Sequence, residues 1–183
     1  KYDNLLRYEG YELILKILRY LYQIDAYISI AEVARERGFV FAEALPLGGN
    51  ILEIEGMFHP LIENAIPNSI QADAEHNVVF LTGANMAGKS TFMKTFGIVV
   101  YLAHMGFPLP VKKMRFSVQN GMYTTINLPD NMMLGYSHFY AEVQRLKKVA
   151  EQVGRIGNLV IVFDELFRGT NVKDAHEATL AVM

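Results

Sequence analysis

The sequence predicts an α/β domain whose mainly parallel sheet is flanked by helices, preceded by one long N-terminal helix. Three observations lead there. Apolar runs of strand length alternate with amphipathic stretches of helical period. A glycine-rich loop ending in Gly88-Lys89-Ser90 stands between one such run and one such helix. A second run, Leu159 to Phe163, ends in the acids Asp164-Glu165. Strands separated by helices pair in parallel and need cover on both faces.

The elements follow in order. Tyr2, Leu6, Leu13, Ile17, Leu21 and Ile24 keep one face apolar, and Tyr27, Ile30, Ala31 and Ala34 continue it. Gly38, after Arg35-Glu36-Arg37, is the expected stop, so residues 1–37 form one rod packed on a core. Residues 38–183 then form the α/β domain. Ile51 to Glu55 alternates like a half-buried strand, and Met57 to Asp73, with Pro60 and Pro67, reads as loop. Val78-Val79-Phe80-Leu81 has the unbroken apolar pattern of a strand buried on both faces. A helix is expected from Lys89 to about Met105, ended by Gly106 and Pro108. Met114 to Ile126 reads as two short strands turning at Asn120-Gly121. Phe139, Val143, Leu146, Ala150 and Val153 make Ser137 to Val153 an amphipathic helix. Gly157-Asn158 then turns into a second buried strand, Leu159 to Phe163.

Composition limits the function classes. The chain has 183 residues, 51% hydrophobic and 20% charged, which suits one domain with a sizeable core. Its formal net charge is −2, and Lys112-Lys113 and Lys147-Lys148 are its longest basic runs. A domain gripping nucleic acid alone carries a basic stripe, so any main DNA surface is expected elsewhere. Cysteine is absent, which excludes disulfides and thiolate metal sites. The histidines His59, His76, His104, His138 and His176 lack metal-ligand spacing, and His104 reads as structural. No G-x-S-x-G hydrolase elbow is present. Phe96 to Ala103, the longest apolar stretch, is too short to span a bilayer, and Lys1 to Asn4 lack the layout of a secretion signal. The expectation is a cytoplasmic protein with no membrane partner. With no initiator Met and an end at Met183 inside an expected helix, the chain reads as a piece of a longer protein.

The chemistry concentrates in three segments. Gly83-Ala84-Asn85-Met86-Ala87-Gly88-Lys89-Ser90 matches G-x-x-x-x-G-K-[ST]. Its glycines let backbone N–H groups turn inward around phosphate oxygens, and the positive end of the following helix favours the same anion. Lys89 then reaches the β- and γ-phosphates, and the Ser90 hydroxyl ligates Mg²⁺. Asp164 and Glu165 close a buried strand at the sheet end where ligands bind. Asp164 there holds Mg²⁺ and Glu165 polarises the attacking water. Gly135-Tyr136-Ser137 opens a helix. Ser137 is an N-cap in its plainest role, and a second phosphate probe in ATPases that sandwich nucleotide between subunits. The order of these three segments is that of the ATP-binding-cassette class of P-loop NTPases.

The wording of these segments is specific. Thr82 to Thr91, TGANMAGKST, resembles the T-G-P-N-M-[AG]-G-K-S-T loop of the MutS DNA mismatch-repair family. Asp130 to Phe139 with Glu142 is similar to that family's D-D-x-x-x-G-x-S-T-F-x-x-E. Asp164 to Thr170 is similar to its D-E-[IL]-G-R-G-T, and His59 to Glu63 to its H-P-[VI]-[VI]-E. The resemblance runs from about Ile24 onward. It implies a C-terminal ATPase domain, with residues 1–37 as the end of a lever helix, and ATP and Mg²⁺ as cofactors. It also implies a homodimer with two composite sites: Gly83, Ala84, Asn85, Met86, Ala87, Gly88, Lys89, Ser90, Thr91, Asp164 and Glu165 from one subunit, Ser137 from the other. Other mismatch-repair proteins are implied as partners, with DNA held mainly by domains outside this chain.

Departures mark a divergent branch. Ala84 replaces Pro, His138 replaces Thr, Phe58 stands for Arg and Phe167 for the first Gly of G-R-G-T. Where the family stacks an aromatic ring on adenine, this chain offers Ile66, which implies a weaker grip on the base. The chain also ends before the family's next strand and its γ-phosphate-sensing His. The expected function is ATP binding and hydrolysis coupled to a clamp on DNA. The alternative is a nucleotide-gated dimerisation switch of a MutS paralogue that acts on recombination or branched DNA without recognising mismatches.

Overall fold

The computed structural model describes residues 8, 10–126, 138–164, 166, 167, 177 and 179, the side chains of 138, 139 and 141 excepted. In chain order the elements are α1 (Tyr11–Arg37), β1 (Glu43–Leu45), β2 (Leu52–Met57), β3 (Asn68–Ala72), α2 (Lys89–His104), β4 (Lys113–Ser117), β5 (Gly121–Thr125), α3 (His138–Ile156) and β6 (Leu159–Phe163). The architecture is mixed α/β.

Helix α1 ends as its sequence demands. Gly38 takes the left-handed conformation at φ 67°, and its N–H donates to the Ala34 carbonyl, as does that of Phe39. Arg37 Nη1 donates to the Pro60 carbonyl at 2.6 Å, and Phe39 meets Phe58 edge-on at 5.9 Å. The expected packing of this helix on a core does not occur, since none of its residues is buried. Tyr20, Leu21, Tyr27 and Ile28 all stand more than half exposed. An apolar stripe creates a demand for cover, and the described elements do not supply it.

Two sheets are present among the described residues. One has strand order β1-β4-β2-β3, and the other pairs β5 with β6. The expectation of a mainly parallel sheet is corrected here. In the larger sheet only β1 and β4 are parallel, while β2 runs antiparallel to both β3 and β4. The reason lies in the connections. A parallel pair needs a crossover of a dozen or more residues, usually with a helix. β5 and β6 have one in α3 and are parallel; β2 and β3 are joined without a helix and are antiparallel. β3 was not anticipated, because its sequence, Asn68-Ser69-Ile70-Gln71-Ala72, is polar on its exposed face and short.

Two further expectations fail for the same non-local reason. Val78 to Leu81 forms no strand and stands 64%, 53%, 67% and 38% exposed along its length. A strand exists only where a partner edge accepts it, and none of the described strands pairs with this segment. Asn120-Gly121 makes no hairpin turn, and neither residue has the positive φ that a tight hairpin requires. Instead the Asn120 N–H donates to the Asn158 carbonyl at 2.8 Å, and its Nδ2 donates to that of Ile156 at 2.8 Å. β4 and β5 thereby enter different sheets.

Helix α2 is the common wall between them. Phe96, Val99, Val100 and Ala103 recur at helical spacing and are all buried. They pack with Ile54, Met57, Met114 and Phe116 of the larger sheet and with Val162 of the smaller. Fully burying a side chain such as Val99 stabilises the fold by about 1.5–3 kcal/mol. After β3, Asp73 Oδ1 accepts from the N–H groups of His76 (2.7 Å) and Glu75 (2.8 Å). These two bonds, that of His76 foremost, hold its carboxyl below the usual carboxylate range.

Gly56 gives the larger sheet its kink. It lies at φ 62° where the β2–β3 register shifts between Ile54 and Met57, and its N–H donates to Ser69 Oγ at 3.0 Å. A Cβ at this position would stand 2.8 Å from Lys112 Cγ. That side chain can move, so the backbone sets the cost. Gly56→Ala is expected to lower stability by about 1–2 kcal/mol, the cost of a left-handed L-residue. Chemical denaturation of the two proteins side by side measures it, and an unchanged midpoint would refute the kink's role.

Candidate functional site

The phosphate-loop motif lies on the surface at the start of α2. The Ala87 N–H donates to the Ala84 carbonyl at 3.2 Å, closing a turn over residues 84–87. Met86 takes φ 66° and Gly88 takes φ 93°, so the chain passes twice through the left-handed region within three residues. Gly88 carries that angle freely, whereas Met86 is strained by its Cβ. Lys89 Nζ reaches back to the carbonyls of Gly83 (2.7 Å) and Ala84 (3.0 Å). The ammonium thus lies within the loop, held by acceptors that a competing anion would replace.

The start of α2 suits an anion. Gly88 is its N-cap and supplies no side-chain hydrogen bond, and its first turn contains no acidic residue. The first N–H groups of a helix lack intrahelical partners, and here no side chain stands in for a ligand. Ser90 and Thr91 follow Lys89 in the first turn.

The strand pair runs toward Asp164 in the direction of the N-terminus of α2. Two contacts fix its direction. Gln119, just before β5, donates its N–H to His104 Nε2 at the last residue of α2 (3.0 Å). Thr124, near the end of β5, lies opposite Gly97, where a Cβ would be 3.9 Å from Thr124 Cγ2. Gly97 is about two turns earlier in the helix than His104. β5 therefore runs antiparallel to α2, and so does β6, paired in register from Gly121↔Leu159 to Thr125↔Phe163. The C-terminal ends of both strands point the way the N-terminus of α2 points. Asp164 follows β6, and its N–H donates to the Thr125 carbonyl at 3.2 Å.

Other site residues fall as follows. Ile66 is 82% exposed, its carbonyl accepting from Asn68 Nδ2 at 2.9 Å, so its side chain is available and not part of the core. Ser137 and Glu165 lie outside the described residues. One group was missed. Thr125 Oγ1 is buried without a hydrogen-bond partner among the described residues, and it sits beside Asp164. A threonine at the end of a short strand carries no signal of that in sequence. The described residues hold no cluster of three metal-ligating side chains. The Ser90 hydroxyl and the Asp164 carboxylate are hard oxygen donors, the type that Mg²⁺ takes. No described helix is long and apolar enough to cross a membrane.

These features define a mixed α/β domain with a glycine-rich loop at a helix start, a lysine turned back into that loop and a strand pair that runs toward Asp164 in the same direction. Residues 79–183, more than half of the chain, match the sequence profile of the family described as MutS domain V, and the chain belongs to that family. It is 31% identical over 174 residues to the DNA mismatch repair protein MutS of Thermus aquaticus, covering 93% of this chain and 20% of that protein. It is 32% identical over 165 residues to the MutS of Desulforamulus reducens, covering 86% of this chain and 18% of that protein. To the DNA mismatch repair protein MutS 1 of Halobacterium salinarum it is 32% identical over 159 residues, with 85% and 18% covered. The chain spans about a fifth of the length of these curated relatives.

Proposed function

We propose that this chain is the ATP-binding and hydrolysing domain of a MutS-like mismatch-repair protein, in which nucleotide state sets the conformation of a clamp on DNA. The observation that supports it most is directional: the uncapped start of α2, with Lys89 and Ser90, points the same way as the strand pair ending in Asp164. A bound nucleotide would displace the Gly83 and Ala84 carbonyls from Lys89 and receive its charge, while backbone N–H groups of the loop orient the phosphates. Ser90 and Asp164 would hold Mg²⁺, which neutralises phosphate charge as the terminal phosphoryl transfers to water. Glu165 would orient and deprotonate that water, and Ser137 of a second copy would complete the site from the opposite side. Ile66 would contribute apolar contact to the base without ring stacking.

The test is ATP turnover by the full-length protein, alone and with homoduplex, mismatched and branched DNA. The proposal expects turnover that DNA modulates, with mismatched duplex differing from homoduplex. Turnover that responds to branched DNA and ignores mismatches would favour the paralogue reading, and absence of ATP turnover under all four conditions would remove both. Residues 1–183 as a monomer are expected to hydrolyse ATP very poorly, because Ser137 must come from a partner. Brisk turnover by a monomeric sample would contradict the composite site.

A further inference from the structure

We infer that His104 is a positioning residue, a latch that ties the far end of α2 to the start of β5 and so sets where Asp164 stands relative to Lys89 and Ser90. Only its catalytic half rests on the nucleotide reading above; the latch itself rests on geometry.

The ring has two partners of opposite kind. Nδ1 lies 2.8 Å from the Val100 carbonyl oxygen, which can only accept. Nε2 lies 3.0 Å from the Gln119 backbone nitrogen, which can only donate. A single tautomer satisfies both, with hydrogen on Nδ1 and the lone pair on Nε2. The ring also packs at a tilt against Phe116 of β4, with centroids 4.8 Å apart and planes at 54°. A histidine in the last turn of a helix normally serves the helix dipole from solvent. This one bonds its own helix, β4 and the β4–β5 connection together.

The next residues extend the latch. Gln119 Nε2 donates to the Ser117 carbonyl at 3.1 Å, which stiffens the connection. Asn120 then grips the turn between α3 and β6 through the carbonyls of Ile156, Gly157 and Asn158. Consecutive residues thus bind α2 on one side and the start of β6 on the other. The two strands leave this point as one parallel ladder toward Thr125 and Asp164.

Leverage makes the latch matter. A five-residue strand is about 17 Å long at about 3.3 Å per residue, so a tilt of about 3–4° at its start moves its far end by about 1 Å. A misplacement of that size in a catalytic constellation can cost about 10²-fold in rate. The ladder keeps its own hydrogen bonds through such a tilt, so the fold survives while the alignment does not.

The experiment compares H104F and H104Q in the full-length protein. Phenylalanine keeps a ring on Phe116 and removes both polar contacts; glutamine can still offer an acceptor to the Gln119 N–H. The readouts are backbone hydrogen exchange across residues 119–125 and the separate kcat and KM for ATP. The expected result is faster exchange and a kcat lower by about tenfold in H104F, with KM within about twofold, and restoration of both by H104Q. Exchange in H104F equal to that of the parent would overturn the latch. So would H104Q as impaired as H104F, or kcat and KM lost together. If the parent hydrolyses no ATP, the nucleotide reading fails, and the exchange comparison alone decides the latch.

Discussion

Lys89→Ala abolishes ATP binding or hydrolysis in the full-length protein: this is the largest effect expected. The Lys89 ammonium lies 2.7 and 3.0 Å from two loop carbonyls, so it is already inside the turn that a phosphate would enter. Alanine removes the one mobile positive charge of the loop and leaves only backbone dipoles to face the anion. Loss of a single preorganised charge-stabilising donor costs about 10²–10³-fold in turnover, and a full cation is expected to cost at least that. Because Lys89 is not among the buried residues of α2, its removal leaves the core of the helix intact, so loss of activity with an unchanged melting temperature isolates the phosphate role. Binding of a fluorescent ATP analogue and steady-state turnover check the prediction. Unchanged activity would end the phosphate-loop assignment.

Glu165→Ala is expected to separate binding from chemistry. Asp164 and Glu165 are consecutive in sequence, yet they are proposed to do different work: Asp164 on the metal, Glu165 on the attacking water. A general base contributes about 10²–10⁴-fold, so turnover should fall by at least about 10²-fold while ATP binding persists. Single-turnover hydrolysis beside equilibrium nucleotide binding separates the two. Normal turnover would remove Glu165 from the role, and loss of binding would place it with Asp164 on the metal.

The legible parts of this molecule are those governed by neighbours in the chain. The Gly38 stop of α1 was readable because a left-handed cap needs a glycine and lies within five residues of the carbonyl it serves. α2 was readable from end to end: glycine and lysine open it, its apolar residues repeat at helical spacing, and Gly106 and Pro108 follow it. The Gly157-Asn158 turn was readable too, and both residues have positive φ. β2 and β6 announced themselves by alternation and by an apolar run. The turn of the glycine-rich loop and the strand that precedes Asp164 belong to the same group, since each is fixed within a short motif.

Pairing was not legible, because a strand's partner is chosen by a distant edge. The same apolar wording made Leu159 to Phe163 a strand and left Val78 to Leu81 exposed. Asn120-Gly121 looked like a hairpin turn, yet its side chain and N–H were claimed by carbonyls some forty residues later in the chain. His104 read as a structural histidine on a helix; only the approach of Gln119 gave its ring a second partner.

Chain-local chemistry therefore specified a glycine-rich loop on a helix start, an acidic residue after β6, the C-terminal stop of α1 and the extent of α2, since turns, caps and helical faces are decided within a few residues. Packing specified the rest: the mixed pairing of the larger sheet, the antiparallel run of β5 and β6 along α2, and with it the side on which Asp164 stands. The physical reason is that a helix satisfies its own backbone, whereas a strand must find an edge, and the edge that accepts it depends on every element packed nearby.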